Sequence, residues 1–361
     1  MSITDFRSDT VTRPTPEMRA SMYNANVGDD VYNEDITIQR LEDRVATIFN
    51  KDSALFFPSG TMSNLTALLT WCPNRGAEII VGDKSHIFLF EQASASQFGG
   101  ISPRTVPNLS DGTMNINLIR ESIRENDIHE PITSLICIEN THNVCGGKII
   151  PLSFLQELKI LANEHNIPIH LDGARIWNAI TASKINPQEI SNNVDSLSVC
   201  LSKGLGAPVG SLLVGPREFI NKARRIRKAL GGGMRQVGIL GAAGLKAIDD
   251  FEDGILVNDH KRCQQLVAGI KELEVFKVNE PIHTNIIFID IVSYNKSNKN
   301  NICINSTTIS QMASEKGILI SAWSPFLIRL VIHRDMNDAD IDYAITFFKE
   351  TNNFLLNLEY I

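Results

Sequence analysis

The stretch that decides the fold runs from Ile167 to Val214 and reads IPIHLDGARIWNAITASKINPQEISNNVDSLSVCLSKGLGAPVGSLLV. It holds two apolar runs of strand length. The first, Ile167–Leu171, stops at Asp172, and the second, Leu197–Leu201, stops at Ser202 and Lys203. Between them lies room for one crossover helix. Two strands joined in this way lie parallel and present their carboxyl ends on one edge of a sheet. The run GSLLVG at 210–215 follows Lys203 too closely for a second helical crossover, so it is expected as an antiparallel neighbour.

Outward from this core, further strands are expected near 54–57, 79–81 and 134–138, alternating with helical segments. That alternation marks an α/β protein with a mostly parallel sheet covered on both faces. A helix over Ile36–Phe49 places Ile38, Leu41, Val45 and Ile48 on one face. In SALFFPSGTMSN the strand breaks at Pro58, and a helix begins near Thr61. Its free backbone N–H groups, with the hydroxyls of Ser59, Thr61 and Ser63, make a possible anion site; an ordinary capped helix has the same residues. From about Gly254 the pattern changes. A helix at 258–273, a strand at 285–291, an Asn/Lys/Ser-rich loop at 293–301, a helix at 307–316, strands at 318–322 and 327–332 and a last helix from Asp338 follow. The chain therefore divides into a large domain over 1–250 and a small α+β domain over 251–361. The large domain carries an N-terminal arm, DFRSDTVTRPTPEM, with Thr15 as a helix cap. The arm has hydroxyls and charges but few core residues, so it must lie on another surface or stay loose.

A chain of 361 residues with 43% hydrophobic residues can bury a large core, and a net charge of -7 argues against a polyanionic partner such as nucleic acid. No apolar stretch reaches the roughly 18 residues of a membrane span, and the polar N-terminus shows no secretory signal. The six cysteines form no CxxC pair and mostly sit in apolar runs, which suits buried reduced thiols and a cytoplasmic protein. No cluster with metal-ligand spacing stands out.

The chemistry concentrates at the two strand ends. Open α/β sheets bind ligands in the crevice outside the carboxyl ends of their strands. A lysine there, with an aspartate one strand over, is the pair that a pyridoxal-phosphate enzyme needs. The lysine forms an imine with the cofactor aldehyde, and the aspartate keeps the pyridine nitrogen protonated. Aspartates also cap helices and lysines also sit solvated at strand ends, so spacing alone leaves both readings open. No GxxxxGK[ST] or GxGxxG follows a strand, which argues against a nucleotide-binding protein.

Eight blocks carry a family resemblance: RSDTVTRPTPEM (7–18), VGDDVYNED (27–35), FFPSGTMSN (56–64), ENTHN with GG (139–147), DGARIWNA (172–179), CLSKGLGAPVGSLLVG (200–215), RKALGGGMRQ (227–236) and IRLVIH (328–333). In this order, from Asp5 to His333, the chain resembles the low-specificity L-threonine aldolases. These are aspartate-aminotransferase-like (fold type I) pyridoxal-phosphate enzymes near the aromatic β-eliminating lyases. The resemblance implies Lys203 as the imine lysine, with Ser202 beside it, and Asp172 against the pyridinium nitrogen. It implies His86 stacked on the ring, and Ser59, Gly60 and Thr61 on the phosphate. Arg235 and Lys228 would complete the phosphate site from a neighbouring subunit, so a dimer or tetramer is implied. Ser8, Arg175 and Arg329 would fix the substrate carboxylate, Arg175 lying against the cofactor as well. His142 would lie near the substrate hydroxyl, with His142, His86 or a water as base. The implied reaction is cleavage of L-threonine or L-allo-threonine to glycine and acetaldehyde. Phenylserine cleavage and β-elimination are the alternatives. Trp323 and Phe326, close to Arg329 in sequence, are candidates to modify side-chain preference, and Cys145 is read as incidental.

Overall fold

The structure, a computed structural model, describes residues 3–292 and 304–357. The loop expected at 293–301 and Cys303 lie outside the described residues. The strands are β1 (Thr4–Asp5), β2 (Ser53–Phe57), β3 (Ala77–Gly82), β4 (Ser102–Val106), β5 (Ile132–Glu139), β6 (Ile169–Gly173), β7 (Ser196–Cys200), β8 (Ser211–Gly215), β9 (Phe276–Val278), β10 (Ile286–Ile291), β11 (Ile318–Leu319), β12 (Ser321–Ser324) and β13 (Leu327–Val331). Seven of them form one sheet in the order β2-β8-β7-β6-β5-β3-β4. Every pairing from β7 to β4 is parallel, and β8 runs antiparallel to both β7 and β2. The short link from Lys203 to GSLLVG thus makes the antiparallel neighbour that its length required.

The boundaries moved for physical reasons. Pro168 has no N–H to give the ladder, so β6 begins at Ile169; its carbonyl still accepts from Ile136 N. β6 then carries Asp172 into the sheet, level with Glu139 on β5 and Ser198 on β7. The single crossover helix expected between β6 and β7 is two helices, Ile176–Ser183 and Pro187–Ser191. Lys184 adopts a left-handed conformation at φ 58° and ends the first. Asn186 caps the second, with Pro187 at its first turn.

β2, β3 and β6–β8 are buried along nearly their whole length, and β5 over its second half, as expected of strands covered on both faces. A second sheet, β12-β13-β10-β9, is antiparallel and packs against the helices Ile255–Ile270 and Asp338–Asn357. The expected strand at 318–322 is split. Ile318–Leu319 pairs in parallel with β1, and Ser321–Ser324 joins β13. The N-terminal arm is therefore tied down: Phe6 is fully buried in the apolar cluster of the second sheet. Further along, Thr15 caps the helix Pro16–Tyr23 through Met18 N.

Trp177 anchors the first core. It is buried against Phe49 and Phe251, with ring centroids 5.4 and 4.8 Å away, and its Nε1 donates to Cys200 O at 3.0 Å. That bond ties the helix after Asp172 to the strand before Lys203. Trp177→Ala is expected to lower stability by about 3–5 kcal/mol, read as a fall in the urea unfolding midpoint.

Candidate active site

Because β2, β3, β5, β6 and β7 all run the same way, the residues after them collect at one edge. The segments after them supply Ser59, Gly60 and Thr61, then His86, then His142, then Arg175, then Ser202 and Lys203; Asp172 lies within β6, one residue before its end. Gly60 opens the helix Gly60–Trp71, with Ser59 as its cap through Met62 N at 3.1 Å. A Cβ on residue 60 would sit 2.9 Å from Cys200 Sγ, so the phosphate-type turn and the end of β7 are in close contact. The amides of Gly60 and Thr61 have no partner among the described residues. Lys203 is half-buried, and its charge acts on Asp9, His86 and Cys200.

Behind Asp172 lies a buried hydrogen-bonded row. Asp172 Oδ1 accepts from Ala174 N at 3.0 Å, and Oδ2 accepts from Asn64 Nδ2 at 3.0 Å. Asn64 Nδ2 also donates to Glu91 Oε1 at 2.9 Å, and that oxygen is 3.0 Å from His86 Nδ1. On its other side Asn64 Oδ1 faces His170 Nε2 at 3.1 Å. His170 Nδ1 meets Ser196 Oγ at 2.9 Å, which accepts from Trp71 Nε1 at 2.8 Å. The roles are mutually consistent: His170 Nε2–H donates to the amide oxygen, and the Ser196 hydroxyl donates to Nδ1. Burial pushes His170 down to about 4, so it is neutral at pH 7. Burial pushes the Glu91 carboxyl up; His86 and Asn64 counter this, while Asp172 adds to it. Atoms of His86, Glu91 and Asp172 lie within 4.8 Å of one another, close enough to suggest a cation. The Asn64 amide hydrogens aimed at both carboxylates argue for a hydrogen-bonded site instead.

A second set surrounds the arginines. Arg175 grips the fully buried Asp9 by two bonds, Nε to Oδ2 at 2.7 Å and Nη2 to Oδ1 at 2.6 Å. Burial alone would raise the Asp9 pKa, but Arg175, Lys203 and Arg329 hold it well below the usual carboxylate range. Arg175 Nη1 reaches Asn143 Oδ1 at 3.4 Å, and Arg329 Nη2 donates to the same oxygen at 2.8 Å. Arg329 Nε is buried with no partner, and its guanidinium carbon lies 5.0 Å from the centre of the Trp323 ring. Burial and the neighbouring Arg175 push Arg329 down to about 10. Ser8 Oγ stands 3.5 Å from Asp9 Oδ1. Of the three expected carboxylate anchors, Arg329 keeps an unpartnered donor, while the fork of Arg175 is already filled.

His142 is fully buried; its Nδ1 accepts from Cys145 N at 3.4 Å and its Nε2 has no partner. Lys228 and Arg235 sit elsewhere. Arg235 pairs with Asp29 at 2.8 Å, and Lys228 lines a cavity of about 360 Å³ together with Asp30, Arg224 and Arg227. No bond joins either residue to Ser59, Gly60 or Thr61 among the described residues.

A sequence model of the family described as "Beta-eliminating lyase" matches residues 5–293. The chain is 44% identical over 349 residues to the "Probable low-specificity L-threonine aldolase 2" of Arabidopsis thaliana, covering 96% of each chain. The chain belongs to the β-eliminating lyase family, among its low-specificity L-threonine aldolases. The "Low specificity L-threonine aldolase" of Escherichia coli K12 is 40% identical to it over 333 residues, covering 92% of this chain and 94% of that one. The lyase also shares its fold with the threonine aldolase structure from Leishmania major, with a TM-score of 0.79 at 20% identity over 97% of this chain and 99% of that one.

Reading the lyase sequence for strand ends passed over Asp9, Asn64, Glu91 and Asn143. Three of these lie inside the quoted blocks RSDT, PSGTMSN and ENTHN, but their partners are far away in sequence, which no spacing reveals. Glu91 follows His86 by little more than one turn, in a stretch read only as a turn.

The neutral His170 predicts a pH effect. A histidine whose folded pKa lies below its unfolded value contributes its stability fully above about 6.5 and loses it as pH falls toward about 4. The loss is on the order of 3 kcal/mol. Urea unfolding across that range should show it in the wild type, and His170→Gln should flatten the slope.

Proposed function

We infer that this protein is a pyridoxal-phosphate-dependent aldolase that cleaves L-threonine and L-allo-threonine to glycine and acetaldehyde. The single observation that carries the reading is the meeting, at one sheet edge, of Lys203, Asp172 and His86 with an arginine, Arg329, whose Nε is buried and unpartnered. Membership of the threonine aldolase family supports it.

The residues fit the cofactor. Asp172 would hold the ring nitrogen, its two oxygens each already accepting one hydrogen bond and each able to take another. His86 would lie against the ring, and Lys203, beside Ser202, would bond the aldehyde. The free amides of Gly60 and Thr61, with Ser59, would hold the phosphate at a helix start. When bound, pyridoxal 5'-phosphate supplies an electron sink for the pair left on Cα. The chain's own residues do the rest. Arg329, with Ser8 and the Asp9-held Arg175, orients the substrate carboxylate and so the bond that breaks. A base takes the β-hydroxyl proton, the O–H pair becomes the carbonyl bond of acetaldehyde, and the Cα–Cβ pair stays on Cα. Protonation there gives glycine.

Lys228 and Arg235 complete a phosphate site in a neighbouring copy under this reading, so the active unit is at least a dimer, with a tetramer the family's common form. The cavity beside Lys228, lined also by the exposed Val31, with the exposed Tyr32 next to it in the chain, supports a contact face there. No helix among the described residues is long and apolar enough to cross a membrane. With free cysteines among the described residues, we place the protein in the cytoplasm. We also propose the division into a large domain, 1–250, and a small one, 251–361.

Product analysis tests the activity: threonine should yield glycine and acetaldehyde in equal amounts, and pyruvate with ammonia would identify an eliminase. Lys203→Ala should abolish cleavage by about 10³-fold or more. Arg329→Lys, which keeps the charge but loses the fork, should raise KM for threonine by about 10- to 100-fold.

A further inference from the structure

We propose that Glu91 is a positioning residue that holds the His86 ring with its proton on Nδ1. The Nε2 lone pair is thereby left to take the substrate hydroxyl proton, directly or through one water. The substrate part of this rests on the aldolase reading above; the tautomer rests on geometry alone.

The geometry fixes the donor at each contact. Asn64 can be oriented in only one way, because its amide nitrogen faces two carboxylates at 2.9 and 3.0 Å while its oxygen faces His170 Nε2. Turning the amide over would set its oxygen against both acids. Glu91 Oε1 is therefore an acceptor toward Asn64. The same oxygen meets His86 Nδ1 at 3.0 Å. Glu91 Oε2 is buried and without a partner, so a carboxyl proton has no acceptor there, and the carboxylate form satisfies both contacts at Oε1. An ionised Oε1 only accepts, so His86 Nδ1 donates to it, and a neutral ring then has its lone pair on Nε2. The His86 backbone is pinned as well, its N–H donating to Glu139 Oε2 at 2.7 Å. Glu91 is fully buried, whereas a third of the His86 side chain stays open, at 33%.

His142 is held in the opposite sense. Cys145 N donates to its Nδ1, which leaves the proton on Nε2. Of the two histidines, His142 offers a donor and His86 an acceptor.

The groups facing His86 are Glu91 from its own segment, Glu139 from β5, Asp172 from β6 and Lys203 after β7. Burial works against a charged His86, and so does Lys203, but Glu91 and Asp172 outweigh them and raise its pKa. Removing the Glu91 charge lowers it. A base must be unprotonated to act, so the acid limb of kcat/KM moves to lower pH in Glu91→Gln.

Neutron diffraction from wild-type crystals reads the tautomer without any variant. Deuterium on His86 Nδ1 and none on Nε2 is expected, and the reverse occupancy overturns the proposal. In kinetics, Glu91→Leu, which removes the acceptor, should lower kcat for threonine by about 10²-fold and leave KM within about twofold. Unchanged kcat in folded Glu91→Leu, together with an unmoved acid limb in Glu91→Gln, also overturns it. A wild type that cleaves no threonine sinks the aldolase reading instead, and the neutron result then still decides the role of Glu91.

Discussion

One side-chain amide governs the interior of this site. Asn64 divides its two hydrogens between Glu91 and Asp172 and gives its oxygen to His170. Two carboxylates buried this close need hydrogen-bond donors placed between them. The amide supplies those donors and fixes the direction of every bond that follows, as far as Trp71 on one side and His86 on the other. It comes from the first turns of the helix Gly60–Trp71, the same helix whose start offers free amides beside Cys200. A single helix thus sets both the polar wall and the anion site, and a shift of one would disturb the other.

The arginine side of the crevice is organised by a different compensation. Arg175 and Arg329 both reach Asn143, and two guanidinium groups at that distance would repel without a counter-charge. Asp9 provides it, buried and gripped by Arg175. Burying a charge is tolerable only where it is paired and hydrogen-bonded, and both conditions hold. The result is a division of labour: Arg175 is occupied internally, and Arg329, its guanidinium over the Trp323 ring, keeps one buried donor unpartnered.

Much of this was legible from strand ends. Apolar runs that stop at Asp172 and Lys203, with too little chain after Lys203 for a helix, gave the parallel edge and its antiparallel neighbour, because these follow from local length and periodicity. The family resemblance supplied the roles that spacing left open. What stayed hidden depends on contacts between distant segments. Asp9 meets Arg175 across the chain, Asn64 meets Asp172, and Ile318 meets Thr4. The split of the crossover into two helices turned on one left-handed residue, Lys184, a conformation that its residue type does not advertise.

The arm between Thr4 and Thr12 touches everything at once. It adds a strand to β11, buries Phe6 in the second core, sends Asp9 to Arg175 and bonds Thr12 Oγ1 to the carbonyl of Lys203 at 2.8 Å. Its partner strand is made more than three hundred residues later. During synthesis this segment must therefore wait for that distant strand before it can settle. Until then Asp9 lacks the small-sheet contacts that hold it in place, and the arginine cradle has no fixed counter-ion. Competence in this molecule therefore waits on the pairing of two segments far apart in the chain.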